Sequence, residues 1–227
     1  MKRTPSLTAL RTTSPDRIEV RRSRVEVDLN RDRDGHVYRS ADECWGLEVW
    51  HRSPLDEGVA ERSRAVHDEF YEQLGVLLDP IAKHGPFVQF DCHSYNHRRD
   101  GDGADAVPEA RAENPDVNVG TGSLDREYFG HVVEAFIDSM SKATIDGRPL
   151  DVRENVKFKG ANLARWAHER YPGVSCVLTL EFKKTFMDGW TDTPDDAHIE
   201  ALTEALRDTV NPVMTALAGF TTPRMLS

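Results

Sequence analysis

The chain has 227 residues, a formal net charge of −10 and 38% hydrophobic residues, which is enough for one domain with a core of its own. The acidic balance argues against a nucleic-acid-binding surface, and the sequence contains no apolar run long enough to span a membrane. We therefore expect neither nucleic acid nor a membrane as a partner.

The N-terminus and the cysteines bear on the cellular compartment. The first residues are basic, but the apolar stretch of a secretory signal does not follow them. The cysteines are scattered and lack the spacing of a metal site. Cys92 and Cys176 lie in apolar, strand-like runs, so we expect buried free thiols in a reducing, cytoplasmic setting.

Residues 1–16 are rich in Thr, Ser and Arg without periodicity, which predicts a poorly ordered lead-in to a single α/β domain over residues 17–227. From residue 24 to 30 apolar and charged residues alternate, which predicts a strand with one buried face. Two interpretations of its charged end stay open. Either the charges are simply solvated, or Asn30 and Arg31 bind a carboxylate through an amide donor and a guanidinium fork.

Ser53 and Pro54 predict the start of a helix with apolar residues at helical spacing over residues 59–78. Gly85 predicts its end. His67 lies within this helix, and we expect it to be a surface or boundary residue rather than a ligand.

The run at residues 87–99 is the most informative stretch of the chain. It begins as a buried strand and ends in ionisable residues followed by a Gly-rich loop. In open α/β sheets, ligands bind outside the carboxyl ends of strands. His93 is therefore a candidate metal ligand, although Asp91 and His93 are equally well interpreted as a pair that caps the strand.

The second half of the chain alternates predicted helices and strands. We expect an irregular loop over residues 104–114, then a short apolar piece over residues 115–123 that ends in glycines. We expect helices over 124–141 and 161–171, an extended segment at 152–158, a central strand over 175–182 and a last helix over 198–217 kinked at Pro212. Glu181 ends the central strand. It is interpreted either as half of an ion pair with a nearby Lys or Arg, or as a general base.

Four segments together resemble the N-formylglutamate amidohydrolase family, which is related to aspartoacylase and the zinc carboxypeptidases. They are Val-Asp-Leu-Asn-Arg at residues 27–31, Phe-Asp-Cys-His-Ser-Tyr-Asn-His-Arg-Arg at 90–99, Val-Asn-Val-Gly-Thr at 117–121, and Leu-Glu-Phe-Lys-Lys through Met-Asp at 180–188. The resemblance extends over residues 17–217, with the motifs in the family's order.

The resemblance implies a three-layer α/β fold of the zinc-peptidase type, with a mixed, mostly parallel sheet and helices on both faces. It implies a single zinc ion that polarises a formyl or amide carbonyl, with His93 as a ligand and Glu181 as general base. Asn30 and Arg31 match the pair that holds the carboxylate of an N-acyl amino acid substrate. We add Arg24 to that pair because strand alternation places it on the same face as Asn30. The expected products are formate and an amino acid such as glutamate.

Asp91 and His97 are expected to support His93 or to contact the substrate. The family takes two further zinc ligands, a His and a Glu, from a motif upstream of residues 27–31, but the first histidine here is His36. The spacing of His36, His51 or His97 does not favour any of them as a substitute. The chain is thus either a metallohydrolase that begins late, or a truncated, non-catalytic homologue that binds a carboxylate ligand. A missing N-terminal strand predicts an exposed sheet edge and self-association.

Overall fold

The computed structural model describes residues 17–44, 46–51, 55–97, 108–188, 191 and 193–219. The predicted lead-in over residues 1–16 lies outside these residues, as do Ser53 and Pro54. Helices and strands follow one another as α1 (Glu57–Ala82), β1 (Phe87–Tyr95), α2 (Pro108–Glu113), β2 (Val117–Gly120), α3 (Arg126–Met140), β3 (Thr144–Ile145), β4 (Arg148–Pro149), β5 (Val152–Glu154), α4 (Asn162–Arg170), β6 (Ser175–Lys183), α5 (Asp196–Asp208) and α6 (Val210–Ala218).

The main sheet has the strand order β1-β6-β2-β5. β1 and β6 are parallel, as are β2 and β5, while β2 and β6 are antiparallel. The predicted mixed, mostly parallel sheet is therefore confirmed. β6 lies between β1 and β2, which explains why its sequence reads as a nearly continuous apolar run.

Each face of β6 contacts a different layer of helices. Cys176, Leu178 and Leu180 pack into the largest core cluster with residues of α3, α5 and α6. Val177, on the opposite face, packs with Ala164 and Ala167 of α4. A third cluster joins α1 to β1 and to the end of α4. Helices thus cover both faces of the sheet, which is the predicted three-layer arrangement.

Helix α1 confirms the predicted amphipathic helix but begins later than Ser53. Asp56 is its N-cap and accepts a hydrogen bond from the backbone of Val59. The chain leaves the helix through Gly85, whose φ of 124° is unfavourable for any residue with a Cβ. The prediction that His67 is a surface or boundary residue is wrong, because His67 is 4% exposed on the buried face of α1.

The strand predicted over residues 24–30 is absent; this segment forms turns. The backbone amides of Glu26 and Val27 both donate to the carbonyl of Ser23, and the Asp28 side chain accepts from the backbone amide of Asn30. Ser and Asp side chains and local carbonyls offer the backbone an alternative to a strand ladder. Apolar and charged residues do alternate in this segment, but local hydrogen bonds determine its backbone conformation.

The last predicted helix is divided into α5 and α6, which meet at Thr209. Pro212 lies in the first turn of α6 and cannot donate to the carbonyl of Asp208, the last residue of α5. The Ser139 hydroxyl donates to that carbonyl instead, at 3.3 Å. The proline therefore ends one helix and starts another rather than kinking a single one.

Two smaller differences remain. α2 occupies Pro108–Glu113 within the predicted irregular loop. Cys176 is buried as expected, but Cys92 is exposed. No helix among the described residues is long and apolar enough to cross a membrane.

Candidate active site at the ends of β1 and β6

The parallel pairing of β1 and β6 places His93 directly beside Glu181. On the other side of β6, Glu181 is paired with Asn118 of β2. Because residues paired across neighbouring strands project from the same face of a sheet, these three side chains lie side by side on one face of the sheet. The sequence predicted the two ionisable residues separately, and the strand register brings them together.

Asp91 fixes the ring of His93. His93 Nε2 lies 2.8 Å from Asp91 Oδ1 and 3.1 Å from the amide nitrogen of Asn30. Nε2 donates to Asp91 when it carries a hydrogen and accepts from Asn30 when it does not. Both contacts use Nε2, so Nδ1 is the ring nitrogen left for a ligand.

Burial alone would lower the pKa of His93. The negative charge of Asp91 and its hydrogen bond outweigh this effect, Glu181 adds to them, and the pKa is raised. Oδ2 of Asp91 is buried with no hydrogen-bond partner among the described residues. An unsatisfied carboxylate oxygen in this position is free to accept a bond from a ligand or from water.

The pKa of Glu181 is raised, mainly by burial and further by the negative charge of Asp91. The positive charges of His93 and Arg24 oppose this rise. Within the described part of the chain Glu181 forms no salt bridge, so the interpretation as half of an ion pair is not supported. A carboxyl group with a raised pKa holds and releases a proton more readily near neutral pH, as a general base requires.

Arg24 and Arg31 lie on a loop that is organised by Asp28. The Asp28 carboxylate is 2.8 Å from Arg24, 3.8 Å from Arg31 and 2.7 Å from the hydroxyl of Tyr38. The guanidinium of Arg31 also stacks 4.3 Å from the centre of the Tyr38 ring. Arg24 is therefore held by Asp28, and its charge acts on His93 and Glu181. The predicted strand that would have placed it beside Asn30 is not formed.

The pKa of Asp28 is lowered although burial would raise it. The charge of Arg24 and the hydrogen bonds from Tyr38 and Arg24 outweigh the cost of burial. Asp28 is 3% exposed, so this carboxylate is a buried anchor. Apart from its place in the Asp-Leu-Asn-Arg segment, nothing in the amino-acid sequence indicates that Asp28 has this role.

Asn30 joins the loop to α4 and to His93. Its side-chain oxygen accepts from the backbone of Leu163 at 3.1 Å, and its carbonyl accepts from the backbone of Asn162 at 3.2 Å. The α4 N-cap residue, Ala161, supplies no side-chain cap, so Asn30 caps the helix from a distant part of the sequence. Because Leu163 fixes the oxygen, the amide nitrogen of Asn30 must face His93.

Two residues of α1, which the sequence did not indicate, hold the same loop. His67 Nε2 contacts the carbonyl of Arg31 at 2.9 Å, and the Tyr71 hydroxyl donates to the carbonyl of Leu29 at 2.6 Å. Asn162 in turn donates to the Tyr71 hydroxyl. The feature of the sequence that could have indicated them is their spacing, since His67 and Tyr71 are four residues apart and therefore lie on the same face of the helix.

The segment at residues 117–121 forms one wall of the site. Asn118 is fully buried, and its side chain donates to the carbonyl of Phe158 and accepts from the backbone of Lys157. A Cβ at Gly120 would lie 2.6 Å from the backbone nitrogen of Gly160. The glycine therefore permits the close approach of two backbones.

The residues described here do not fit a complete zinc site. His93, with Nε2 held by a carboxylate, has the arrangement typical of a metal-binding histidine. However, a catalytic zinc takes three protein ligands, and the described residues contain no group of three His, Cys, Asp or Glu that could hold a metal ion. His36 is not a substitute, since both its ring nitrogens contact backbone carbonyls.

His97 is buried just beyond the end of β1. Its predicted support of His93 or of the substrate stays a prediction. Asp91 contacts His93 directly. This contact is required whether Asp91 supports His93 as a site residue or pairs with it to cap the strand.

The comparisons with known proteins agree with this architecture. The chain superposes on the crystal structure of N-formylglutamate amidohydrolase from Ralstonia eutropha JMP134 with a TM-score of 0.55, 12% sequence identity, and coverage of 86% of this chain and 74% of that one. That similarity shows a shared fold. A search of the curated proteins found no match. The family model for N-formylglutamate amidohydrolase matches residues 4–187. The chain therefore belongs to the N-formylglutamate amidohydrolase family.

Proposed function

We propose that this protein hydrolyses the amide bond of an N-formyl amino acid such as N-formylglutamate. The observation that carries the proposal is the pairing of His93 with Glu181 on adjacent parallel strands, with Asp91 behind His93. Family membership supplies the reaction class. The geometry supplies a carboxylate and an imidazole in contact range of one small molecule.

In the proposed reaction, water attacks the formyl carbon while Glu181 takes one of its protons. The carbon–nitrogen bond then breaks, and Glu181 passes the proton to the departing amine. The products are formate and the free amino acid. His93 presents Nδ1 to the substrate because Asp91 and Asn30 occupy the surroundings of Nε2.

Arg24 and Arg31 are the proposed binding groups for the substrate carboxylate. Their two positive charges share a single buried negative charge, that of Asp28, so the cluster of three carries a net positive charge. Arg24 is close enough to act electrostatically on both His93 and Glu181. A carboxylate bound there would place an adjacent amide near the strand ends.

Zinc is a separate proposal that rests on the resemblance alone. No step above passes through the metal, since the described residues do not supply a three-ligand set. Elemental analysis of the purified protein, with a His93→Ala control, tests it. Stoichiometric zinc that is lost in the variant supports a site that includes His93, and absence of zinc from the wild-type protein contradicts it.

Formate release from N-formyl-L-glutamate tests the reaction. The matched control substrate is an N-formyl alkylamine, which keeps the amide but lacks the carboxylate. We expect release from the first, a much lower kcat/KM for the second, and loss with Glu181→Gln. No release from any N-formyl amino acid, with and without added zinc, contradicts the proposal.

A non-catalytic role in carboxylate binding is the second candidate. The observation that favours it is the incomplete ligand set around His93. Calorimetry distinguishes the two functions: saturable binding of N-formyl-L-glutamate without formate release supports a binding protein. Binding that is lost with Arg24→Gln or Arg31→Gln would place the ligand at the Asp28 cluster.

Self-association through the sheet edge also stays a proposal. β1 is at the edge of the sheet that the described residues form, and an uncovered edge strand invites pairing with another chain. Light scattering over a range of protein concentrations tests it. A monomer at every concentration contradicts it.

A further inference from the structure

The outer edge of β1 presents backbone groups that β6 does not pair. Within the described part of the chain, β1 ends the sheet and has β6 as its one neighbour. The backbone N–H of Phe87 donates to the carbonyl of Val174, and the carbonyl of Tyr95 accepts from the N–H of Lys184. Since alternate residues of a strand point their backbone groups to opposite sides, the odd-numbered residues of β1 face β6. The residues whose backbone groups face outward are Val88, Phe90, Cys92 and Ser94.

This edge is long, uncharged and open to solvent. β1 has 9 residues, which at about 3.3 Å per residue gives an edge of about 30 Å. The four outward residues are all uncharged, and Cys92, in the second half of the strand, is exposed. Charged residues or a covering segment usually protect an edge strand, and an edge without them favours pairing with another strand.

The position of α4 shows which flank of α1 lies above this edge. The ring centres of Tyr71 and Trp166 are 5.1 Å apart, and the carboxylate of Asp79 lies 3.0 Å from the guanidinium of Arg170. α4 therefore lies against the Tyr71 flank of α1, and it packs over β6. Because α1 packs over β1, the flank of α1 that faces away from α4 lies above the outer edge of β1.

That flank of α1 carries an apolar stripe. At about 100° per residue, Leu77 lies about 60° to one side of the buried Leu74, and Tyr71 lies about 60° to the other side. Phe70 and Ile81 are on the same side as Leu77. Leu77 is 52% exposed and Ile81 is 39% exposed. α1 thus exposes apolar side chains where the sheet ends.

The helix on the other face of β1 also exposes apolar residues. α6 contacts β1, and Val88 and Phe90 pack against the core cluster that contains Val213 of α6. Val210 and Met214 of the same helix are exposed. Both helices that flank the free edge therefore have apolar side chains in contact with solvent.

These three elements form one outer face, defined by Phe70, Leu77 and Ile81 of α1, the outward edge of β1, and Val210 and Met214 of α6. Packed helices and sheets are about 10 Å apart, so the face is about 20 Å high and about 30 Å long. Two such faces would bury about 1,200 Å² in total, which is the lower limit for a stable protein–protein interface. The defining residues are uncharged, whereas the chain has a net charge of −10. Two copies that meet here keep their like charges away from the contact.

We propose that the outer face binds a second copy of this chain, with the two β1 strands paired antiparallel about a two-fold axis perpendicular to the sheet. The register of greatest overlap is centred on Asp91. It places Phe90 opposite Cys92 of the partner subunit and Val88 opposite Ser94 of the partner subunit, so the outward backbone groups pair with one another. The same axis brings the two α1 stripes together. This contact specifies how the sheet edge associates, and it does not depend on the proposed hydrolysis.

Sedimentation velocity of the 227-residue chain over the micromolar concentration range tests the inference. We expect a reversible equilibrium between monomer and dimer. Leu77→Glu and Cys92→Lys should each weaken dimerisation about tenfold or more, because each places a charge in the contact. Both side chains are exposed, so both monomers should fold. Dimerisation that survives Cys92→Lys would place the contact elsewhere and overturn the inference.

Val76→Glu and Cys92→Ser are the matched controls. Val76 precedes Leu77 and is exposed to a similar extent, but it lies about 160° from Leu74 around the helix and so points away from the outer face. Cys92→Ser leaves the edge uncharged. Both controls should dimerise as the wild-type protein does. Equal weakening by Val76→Glu and Leu77→Glu, or a wild-type protein that is monomeric at every concentration, would overturn the inference.

Hydrogen exchange followed by NMR tests the strand pairing itself. Raising the protein concentration should slow exchange of the outward N–H groups of Phe90, Cys92 and Ser94. The N–H groups of Gln89 and Asp91 already donate to β6, so their exchange should change much less. Protection of the outward groups at every concentration would mean that another segment of the same chain covers the edge, and would overturn the inference.

Discussion

The two halves of the candidate active site are built in different ways. His93 and Glu181 lie on β1 and β6, where a continuous parallel ladder fixes their relative position. Arg24, Asn30 and Arg31 lie on a loop without regular structure, which is held by side chains of α1, by α4 and by its own Asp28.

Because they are built differently, the two halves should respond differently to substitution. A ladder of backbone hydrogen bonds survives the loss of a single side chain. A loop held by a few buried polar contacts does not, because each lost partner leaves a buried group unsatisfied. We therefore expect substitutions in the strand half to change activity alone, and substitutions in the loop half to change stability as well.

Glu181→Gln should have the largest effect, and it tests the strand half. It keeps the size of the side chain and removes the proposed base, so kcat for N-formyl-L-glutamate should fall about 10²–10⁴-fold. Chemical denaturation should show an unchanged or slightly higher free energy of unfolding, because burial disfavours the carboxylate. Activity close to wild type would show that Glu181 is not the base.

His168 supports the sheet from α4, and its effect depends on pH. Its pKa is about 4 when folded against 6.5 for a free histidine, so protonation is easier in the unfolded state. The stabilisation is fully present above pH 6.5 and is lost as the pH falls towards about 4, with a total of roughly 3 kcal/mol.

Unfolding measurements across that pH range should therefore show a loss of stability that is smaller in His168→Gln. A matched fall in both proteins would assign the whole loss to carboxylates instead. At neutral pH the wild-type protein and His168→Gln should have the same activity, since His168 lies at the opposite end of β6 from Glu181.

Asp28→Ala tests the loop half directly. Tyr38 is fully buried, and it would lose the acceptor of its hydroxyl, while Arg24 and Arg31 would lose their shared partner. We expect a loss of about 2 kcal/mol in stability together with a raised KM. Hydrogen exchange should become faster over residues 17–51 but not in β1 or β6.

Asp34→Ala is the control for that experiment, since it removes an exposed carboxylate from the same loop. It should leave stability, KM and hydrogen exchange at their wild-type values. Faster exchange throughout β1 and β6 in Asp28→Ala would contradict the division into two halves.

Asn30 joins the two halves, and two substitutions separate its roles. Asn30→Ala removes the cap of α4 and should cost about 1 kcal/mol. Asn30→Asp keeps a capping oxygen and should retain the stability, but it loses the amide that faces His93, so only activity should fall. Equal stability of the two variants in urea would show that the cap contributes nothing.

The elements that the sequence predicted correctly share one property. Their apolar residues recur with a single period over many positions, as in α1, α3, α4 and β6. Packing against the core buries those residues and so stabilises the predicted element directly. The segment at residues 24–30 has an equally clean alternation, yet it forms turns, because Ser23 and Asp28 offer the backbone hydrogen bonds of shorter range. For the same reason the role of Asn30 as a cap for a helix more than a hundred positions away could not be predicted from its neighbours.

Local patterns and residue type were enough to predict the order of the main helices and strands, the central position of β6, and His93 and Glu181 as candidate site residues. Only the folded chain makes the two residues neighbours, lets Asp28 anchor the arginines and buries His67. Each of those facts depends on strand register or on contacts between distant segments. The fold must bury apolar residues and must also provide partners for buried polar groups. Only the burial of apolar residues produces a periodic pattern that can be recognised in the sequence.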